Sequence, residues 1–373
     1  MLYRDMRRRF CALPILVVCC AFIVAGCRSN HTTLVIGGAL PMTGDAATFG
    51  QNAAHGAELA VKDATDQHLL PGLTIKFEAQ DSRGQAGEAV SAANELIDVG
   101  SAKLLVGDVT SAGTQAIIPI ITRAGIPLIS PAASDPSLSG ASPYFARVWP
   151  SDTYEAKVIG GYAKQKAYSR IDMLYANTDY GVAMIGQFKG IVPSSSIGLD
   201  ISVDRGLLDY RPTIQRIKLS KADAIFFVLY PEDAQRFLQQ LSEQRVTLPM
   251  MATATFEDPH LAQTPGADRV IFASPVPPSD TNPIRKAFVD EYTQTFHVAP
   301  GVLSDTGYDS AMILIKAYAA RGSAGSPAVM EYVRSLREYP GVSGTMTFDQ
   351  NGDVEKPYQL KTVQNGKFVW LSK

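Results

Sequence analysis

Residues 104–134 read LLVGDVTSAGTQAIIPIITRAGIPLISPAAS. Leu104, Leu105 and Val106 make a short apolar run that stops at Gly107-Asp108. Ser111 stands where a hydroxyl N-cap opens a helix over Ala112–Thr122. After Ala124-Gly125 a second apolar run, Ile126–Ile129, stops at Ser130-Pro131, with Ser134 ahead of Asp135-Pro136. The order is strand, polar turn, helix, strand, polar turn, which is how a parallel sheet is built. In an open parallel sheet, ligands bind beyond the carboxyl ends of the strands. Helix N-termini there present unpaired N–H groups and a positive dipole end, which suits a carboxylate. Ser111 and Ser134 both fall at such ends. Taken alone, the simpler reading of each is an ordinary cap.

The same alternation continues on both sides. Upstream, Thr33–Leu40 is β-branched and apolar, Pro41–Gly50 is a polar loop, and Ala53, Gly56, Ala57, Ala60, Val61 and Ala64 recur at helical spacing. Leu73–Ala79 alternates like a strand, and Ala86, Ala89, Val90, Ala93, Leu96 and Ile97 form another helical stripe. Such small-residue stripes suit helices lying close against a sheet. Past residue 150 the pattern restarts, with strands expected at Ile171–Tyr175, Gly198–Val203, Ala224–Leu229 and Leu248–Ala252. Helices are expected at Tyr154–Lys166, Val182–Lys189, Pro212–Leu219, Asp233–Glu243, Pro283–Thr295 and Thr306–Ala320. Pro275, Pro277 and Pro278 with Ser279-Asp280 mark a crossover between two domains. The fold class is α/β, with parallel sheets covered on both faces.

Composition narrows the function classes. With 373 residues, 46% hydrophobic and 19% charged, the chain has room for two domains, and a net charge of −2 gives no reason to expect nucleic acid. Arg4, Arg7, Arg8 and Arg9 against Asp5 put +3 before residue 27, so the remainder of this −2 chain carries −5. The basic start, the apolar run Phe10–Ala25 and the ending Val24-Ala25-Gly26-Cys27 read as a targeting segment over 1–26, too short for a comfortable membrane span. The ending resembles the bacterial lipoprotein box, with lipid on Cys27; an uncleaved N-terminal anchor is the alternative. All four cysteines (Cys11, Cys19, Cys20 and Cys27) lie here, so the exported body has neither disulfides nor thiol chemistry.

Several chemistries lack their residues. Gly37-Gly38 follows a strand without the GxGxxG spacing or a following GK[ST], which argues against a nucleotide. His31, His55, His68, His260 and His297 are scattered without metal-ligand spacing, so no metal is expected. Asp349–Asp353 (DQNGD) begins like a calcium loop, but Val354 and Leu360 stand where glycine and glutamate belong. An Asn-Gly hairpin between Gly344–Phe348 and Tyr358–Thr362 is the better reading. No G-x-S-x-G elbow and no nucleophile–base pair can be assembled. The chain is expected not to be an enzyme and to need no cofactor.

Five pieces together, GALPMTGDAATFGQNAAHGAELAV (38–61), VGDVTSAGTQ (106–115), PLISPAASDPSL (127–138), YANTDYG (175–181) and TFDQNGD (347–353), resemble the leucine/isoleucine/valine-binding proteins. These are periplasmic-binding-protein type I receptors of ABC importers, and the likeness runs from about Thr33 to the C-terminus. It implies two doubly wound lobes joined by three crossovers, with the ligand trapped between them on hinge closure. The implied lobes are 33–151 plus 279–358 and 152–278 plus 359–373, with hinges near Trp149–Asp152, Ser274–Asp280 and Tyr358–Lys361. It also implies roles. Ser111, Ala132 and Ser134 would hold a ligand carboxylate, and Phe49, Tyr180 and Tyr230 would wall the pocket, although each aromatic also reads as core. Asp152 would face the cleft. Met250–Thr255 offers no carboxylate where many relatives place the partner of a ligand ammonium, and Glu257 is the nearest substitute.

The expected function is a solute receptor that passes an amino acid or related carboxylate or amide to a permease. It would be a monomer in the cell envelope, periplasm-facing or extracellular, held to the membrane only by lipid. A lipoprotein of the same fold that regulates envelope enzymes is the competing class.

Overall fold

The computed structural model describes residues 32–279 and 281–371, so the expected targeting segment and Cys27 lie outside the described residues. Among the described residues no helix is long and apolar enough to cross a membrane.

The first sheet is built from β1 (Thr32–Leu40), β2 (Leu73–Asp81), β3 (Leu104–Gly107), β4 (Leu128–Ser130) and β5 (Phe145–Arg147). Three helices interleave with them: α1 (Ala47–Asp66), α2 (Ala86–Asn94) and α3 (Ser111–Ala124). All pairings are parallel and the spatial order is β2-β1-β3-β4-β5. Both faces are buried, and the period of two sorts the side chains between them. Leu34, Ile36, Val106 and Ile129 pack with α1, whereas Val35, Leu105 and Leu128 pack with α2 and α3.

The chain then forms α4 (Asp152–Gln165), β6 (Ile171–Ala176), α5 (Asp179–Lys189), β7 (Ile197–Val203), α6 (Arg211–Ser220), β8 (Ala224–Val228), α7 (Pro231–Glu243), β9 (Met250–Ala252) and β10 (Val270–Pro275). Their strands give the parallel order β7-β6-β8-β9-β10, the same winding as the first sheet. Three helices return to the first lobe: α8 (Pro283–Phe296), α9 (Ser304–Arg321) and α10 (Ser326–Ser335). Helix α9 lies along α1, and glycines set the distance: a methyl group at Gly56 would collide with the Ser304 carbonyl, and one at Gly307 with the Ala53 carbonyl. A small sheet of β11 (Tyr339–Gly341), β12 (Gly344–Phe348) and β13 (Val354–Glu355) follows. Finally β14 (Tyr358–Gln364) and β15 (Lys367–Trp370) extend the second sheet antiparallel beyond β10.

Two expectations need correcting. Gly344–Phe348 pairs with Tyr339–Gly341 and Val354–Glu355, not with Tyr358–Thr362. The Asn351-Gly352 turn is present, with Gly352 at φ 84°, but Pro357 separates β13 from β14, which joins the other sheet. The cap of α3 is Thr110, whose Oγ accepts from Gly113 N at 3.1 Å, and not Ser111, which is the first helical residue.

Candidate functional site

In both sheets the strand order reverses once, between β1 and β3 and between β6 and β8, and helices leave in opposite directions there. A crevice opens beyond the strand ends at such a point. The crevices of the two lobes meet in one cavity lined from both sides.

Phe49, in the first turn of α1, and the β3–α3 turn from Val109 to Ser111 come to its wall from the first lobe. Ala132 and Ser134, after β4, join them, as do Trp149, Val302 and Leu303. The second lobe brings Glu155 from the first turn of α4, Tyr180 from the first turn of α5, Tyr230 from the end of β8, and Ala254 and Thr255 from the turn after β9. Six of the eight expected ligand residues, Ser111, Ala132, Ser134, Phe49, Tyr180 and Tyr230, therefore share one cavity. The Tyr180 and Tyr230 rings lie 6.4 Å apart by their centroids.

Ser111 is anchored as a donor. Its Oγ accepts from Asp135 N at 3.2 Å, which leaves its hydroxyl hydrogen without a protein acceptor among the described residues. That same bond ties the two strand-end loops together. Ser130 Oγ braces the second loop, accepting from Ala133 N at 2.9 Å and donating to the Asp108 carbonyl at 2.7 Å. Behind this loop sits Arg147, fully buried, donating to the carbonyls of Asp135 (2.8 Å) and Ala133 (3.3 Å) and pairing with Asp353 at 2.7 Å. It holds two loop carbonyls on its own side. Nothing in the local sequence around Arg147 signals this role, because both partners are supplied by the tertiary fold.

Two expected residues do not reach the wall. Asp152 is fully buried, its backbone N–H bonded to the Ser134 carbonyl at 2.8 Å, and neither carboxyl oxygen has a hydrogen-bond partner among the described residues. Burial, opposed by the nearby Ser134 hydroxyl and the Arg147 charge, pushes it up to about 7. Glu257 is occupied elsewhere, paired with Lys361 and accepting from Ser274 Oγ at 2.6 Å. The acid on the wall is instead Glu155, 1% exposed, with Oε1 accepting from Ala254 N at 2.6 Å. Burial and the nearby Asp152 carboxyl raise it well above the ordinary carboxylate range. The only sequence signal was a pair of acids opening a helix, which ordinarily just complements the dipole.

An ion pair spans the lobes. Arg205, after β7, reaches Asp45, between β1 and α1, at 3.2 Å, and its guanidinium lies 4.3 Å from the centre of the Tyr230 ring.

A sequence model of the periplasmic binding protein family matches residues 33–367. The Leu/Ile/Val-binding protein BraC3 of Rhizobium johnstonii is 23% identical over 347 residues, covering 91% of this chain and 94% of the relative. An amino acid binding protein of Pseudomonas aeruginosa is 27% identical over 244 residues, 64% of this chain and 65% of its own length. Among solved structures, the branched-chain amino acid substrate-binding protein LivJ of Streptococcus pneumoniae, in complex with isoleucine, superposes with a TM-score of 0.82 at 24% identity, covering 90% of this chain and 98% of its own. A solute-binding protein of an ABC transporter from R. palustris, in complex with benzoate, gives a TM-score of 0.82 at 20% identity over 91% of this chain and 95% of its own. At these identities the two structures establish the shared fold.

Proposed function

We propose that this chain, which belongs to the periplasmic binding protein family, is the solute-binding receptor of an ABC importer. It captures a small carboxylate with an apolar body between its lobes and delivers it to a permease. The observation that carries this reading is Ser111, a hydroxyl fixed by Asp135 N–H with its own hydrogen free among the described residues, placed at a helix start on the wall of a largely apolar and aromatic cavity. Ser134 adds a second hydroxyl beside it, so an anion is met by dipoles rather than by a fixed cation. Such a site can stand empty without a buried unpaired positive charge. Phe49, Trp149, Val302, Leu303, Tyr180 and Tyr230 supply the apolar walls from both lobes. The isoleucine and benzoate complexes of similar proteins point to the same ligand class.

In this reading the lobes 33–151 plus 279–358 and 152–278 plus 359–373 close around the ligand, turning at the three passages near Trp149–Asp152, Ser274–Asp280 and Tyr358–Lys361. The protein works as a monomer, binds rather than transforms its ligand, and is held at the cell envelope by lipid on Cys27. The test is isothermal titration of amino acids, their keto acids and aromatic acids into the purified body, with scattering to follow compaction. Removing a hydrogen bond to a charged group costs about 1.5–3 kcal/mol, so Ser111→Ala should weaken the tightest ligand about ten- to a hundredfold. If nothing in the panel binds, or if Ser111→Ala and Ser134→Ala both leave affinity untouched, a scaffolding or regulatory role of the same fold replaces this reading.

A further inference from the structure

Within the first turn of α4, two carboxyls lie three residues apart on one face of the helix, deep inside the protein. Asp152 is 0% exposed with both oxygens unpartnered, and Glu155 is 1% exposed on the cavity wall. Glu155 Oε1 takes Ala254 N–H, and its Oε2 has no donor among the described residues. Among the described residues neither acid is paired with a lysine or arginine. Arg147, whose charge is felt by Asp152, is already committed to Asp353 and to the carbonyls of Ala133 and Asp135. Glu257, the other acid near this end of the sheet, is neutralised by Lys361.

Buried carboxyls without a cation are costly as a pair of charges, and they stay neutral by holding their protons. A cavity wall built this way is short of one positive charge. We propose that Asp152 and Glu155 form a proton-coupled cation receptor in the ligand cavity: a positively charged ligand group, of the ammonium class, docks on Glu155 and displaces one proton from the pair to solvent. This rests on the solute-receptor reading above and adds to it the group that the ligand must carry besides its carboxylate. Glu155 is the contact. Asp152 acts through it as a positioning residue, its charge state setting how readily Glu155 gives up its proton.

The charge balance is simple: ligand cation plus protonated pair gives ligand cation, singly ionised pair and one free proton. Binding must then tighten as pH rises, by at most tenfold per unit. The other titratable groups facing the pair are Arg147 on β5, Asp135 in the loop after β4, Tyr180 on α5, Tyr230 before α7 and Tyr358 on β14. The three tyrosines are themselves raised, chiefly by burial, so they remain neutral across the range of interest.

The experiment titrates the protein with L-valine, L-leucine and L-phenylalanine, the 2-keto acid of each, and benzoate, in phosphate and in Tris at pH 6, 7 and 8. The two buffers differ in ionisation enthalpy, so the difference in heat counts released protons. The proposal expects an amino acid to bind about ten- to a hundredfold tighter than its keto acid. It also expects about one proton released per ligand and affinity rising with pH. In Glu155→Gln the preference over the keto acid and the proton release should both vanish. Keto acids or benzoate binding wild type as tightly as the amino acids would overturn it, and so would amino-acid binding that is flat in pH with no proton released. Those results leave the solute-receptor reading standing, because Ser111→Ala would still weaken whichever acid binds. The wild-type comparison decides the matter even if Glu155→Gln folds poorly. A panel in which nothing binds removes both readings together.

Discussion

Replacing Asp152 by asparagine should make the unliganded protein more stable, and only above acid pH. The carboxyl is fully buried without a hydrogen-bond partner, and its pKa rises from an ordinary 3.8 to about 7 in the fold. Because the folded value lies above the unfolded one, the folded state holds a proton that the unfolded state loses. Stability is therefore complete below 3.8 and drains away as pH climbs to about 7. About three pKa units at about 1.4 kcal/mol each give a loss of about 4 kcal/mol at pH 8, an upper figure because water entry and relaxation would soften it. An asparagine side chain never ionises, so Asp152→Asn escapes that loss. It also removes the charge that raises Glu155, which acts in the same direction. Urea unfolding followed by circular dichroism at pH 4, 6 and 8 reads the effect. The two proteins should differ by less than about 1 kcal/mol at pH 4, and the variant should lead by about 2–4 kcal/mol at pH 8. A difference that stays constant with pH, or that shrinks as pH rises, would show that Asp152 is not a buried, proton-holding carboxyl.

Other consequences follow from the same geometry. Arg205→Gln and Asp45→Asn remove the ion pair that bridges the lobes, which is partly exposed and so contributes about 0.2–1 kcal/mol; each should speed ligand release about two- to fivefold in stopped flow, with the double variant no faster than either single one. Gly56→Ala and Gly307→Ala drive a methyl into a backbone carbonyl of the facing helix and should each cost about 1–3 kcal/mol in thermal or urea unfolding, without changing which ligands bind. Arg147→Met strips the buried partner of Asp353 and releases the Ala132–Asp135 loop, so it should destabilise by about 3–5 kcal/mol and weaken binding as well; intact affinity in a destabilised variant would show that the loop holds its shape unaided. Cys27→Ser should abolish incorporation of labelled palmitate and release the protein from membranes, since stable anchoring takes at least two acyl chains.

Most elements and their order could be read from the residues alone. Apolar runs such as 104–106 and 126–129 ending in small residues, separated by a capped helix, left few alternatives to a parallel α/β sheet, because period and length report local burial. That Ser111 and Ser134 stand just past strand ends was legible for the same reason: in a parallel sheet the position along the strand already says which end a residue occupies. The tertiary structure decided which strand pairs with which, and where charge sits. Tyr358–Gln364 pairs with Val270–Pro275 across nearly ninety residues of chain, and no local turn signal carries that information. Asp152, Glu155 and Glu257 look alike in sequence, as acids near strand or helix ends. Only packing made Asp152 an unpartnered buried carboxyl, gave Glu257 to Lys361, and turned Glu155 toward the cavity. A carboxylate's chemistry is set by its desolvation and by the charges within a few ångströms, and those neighbours come from distant parts of the chain.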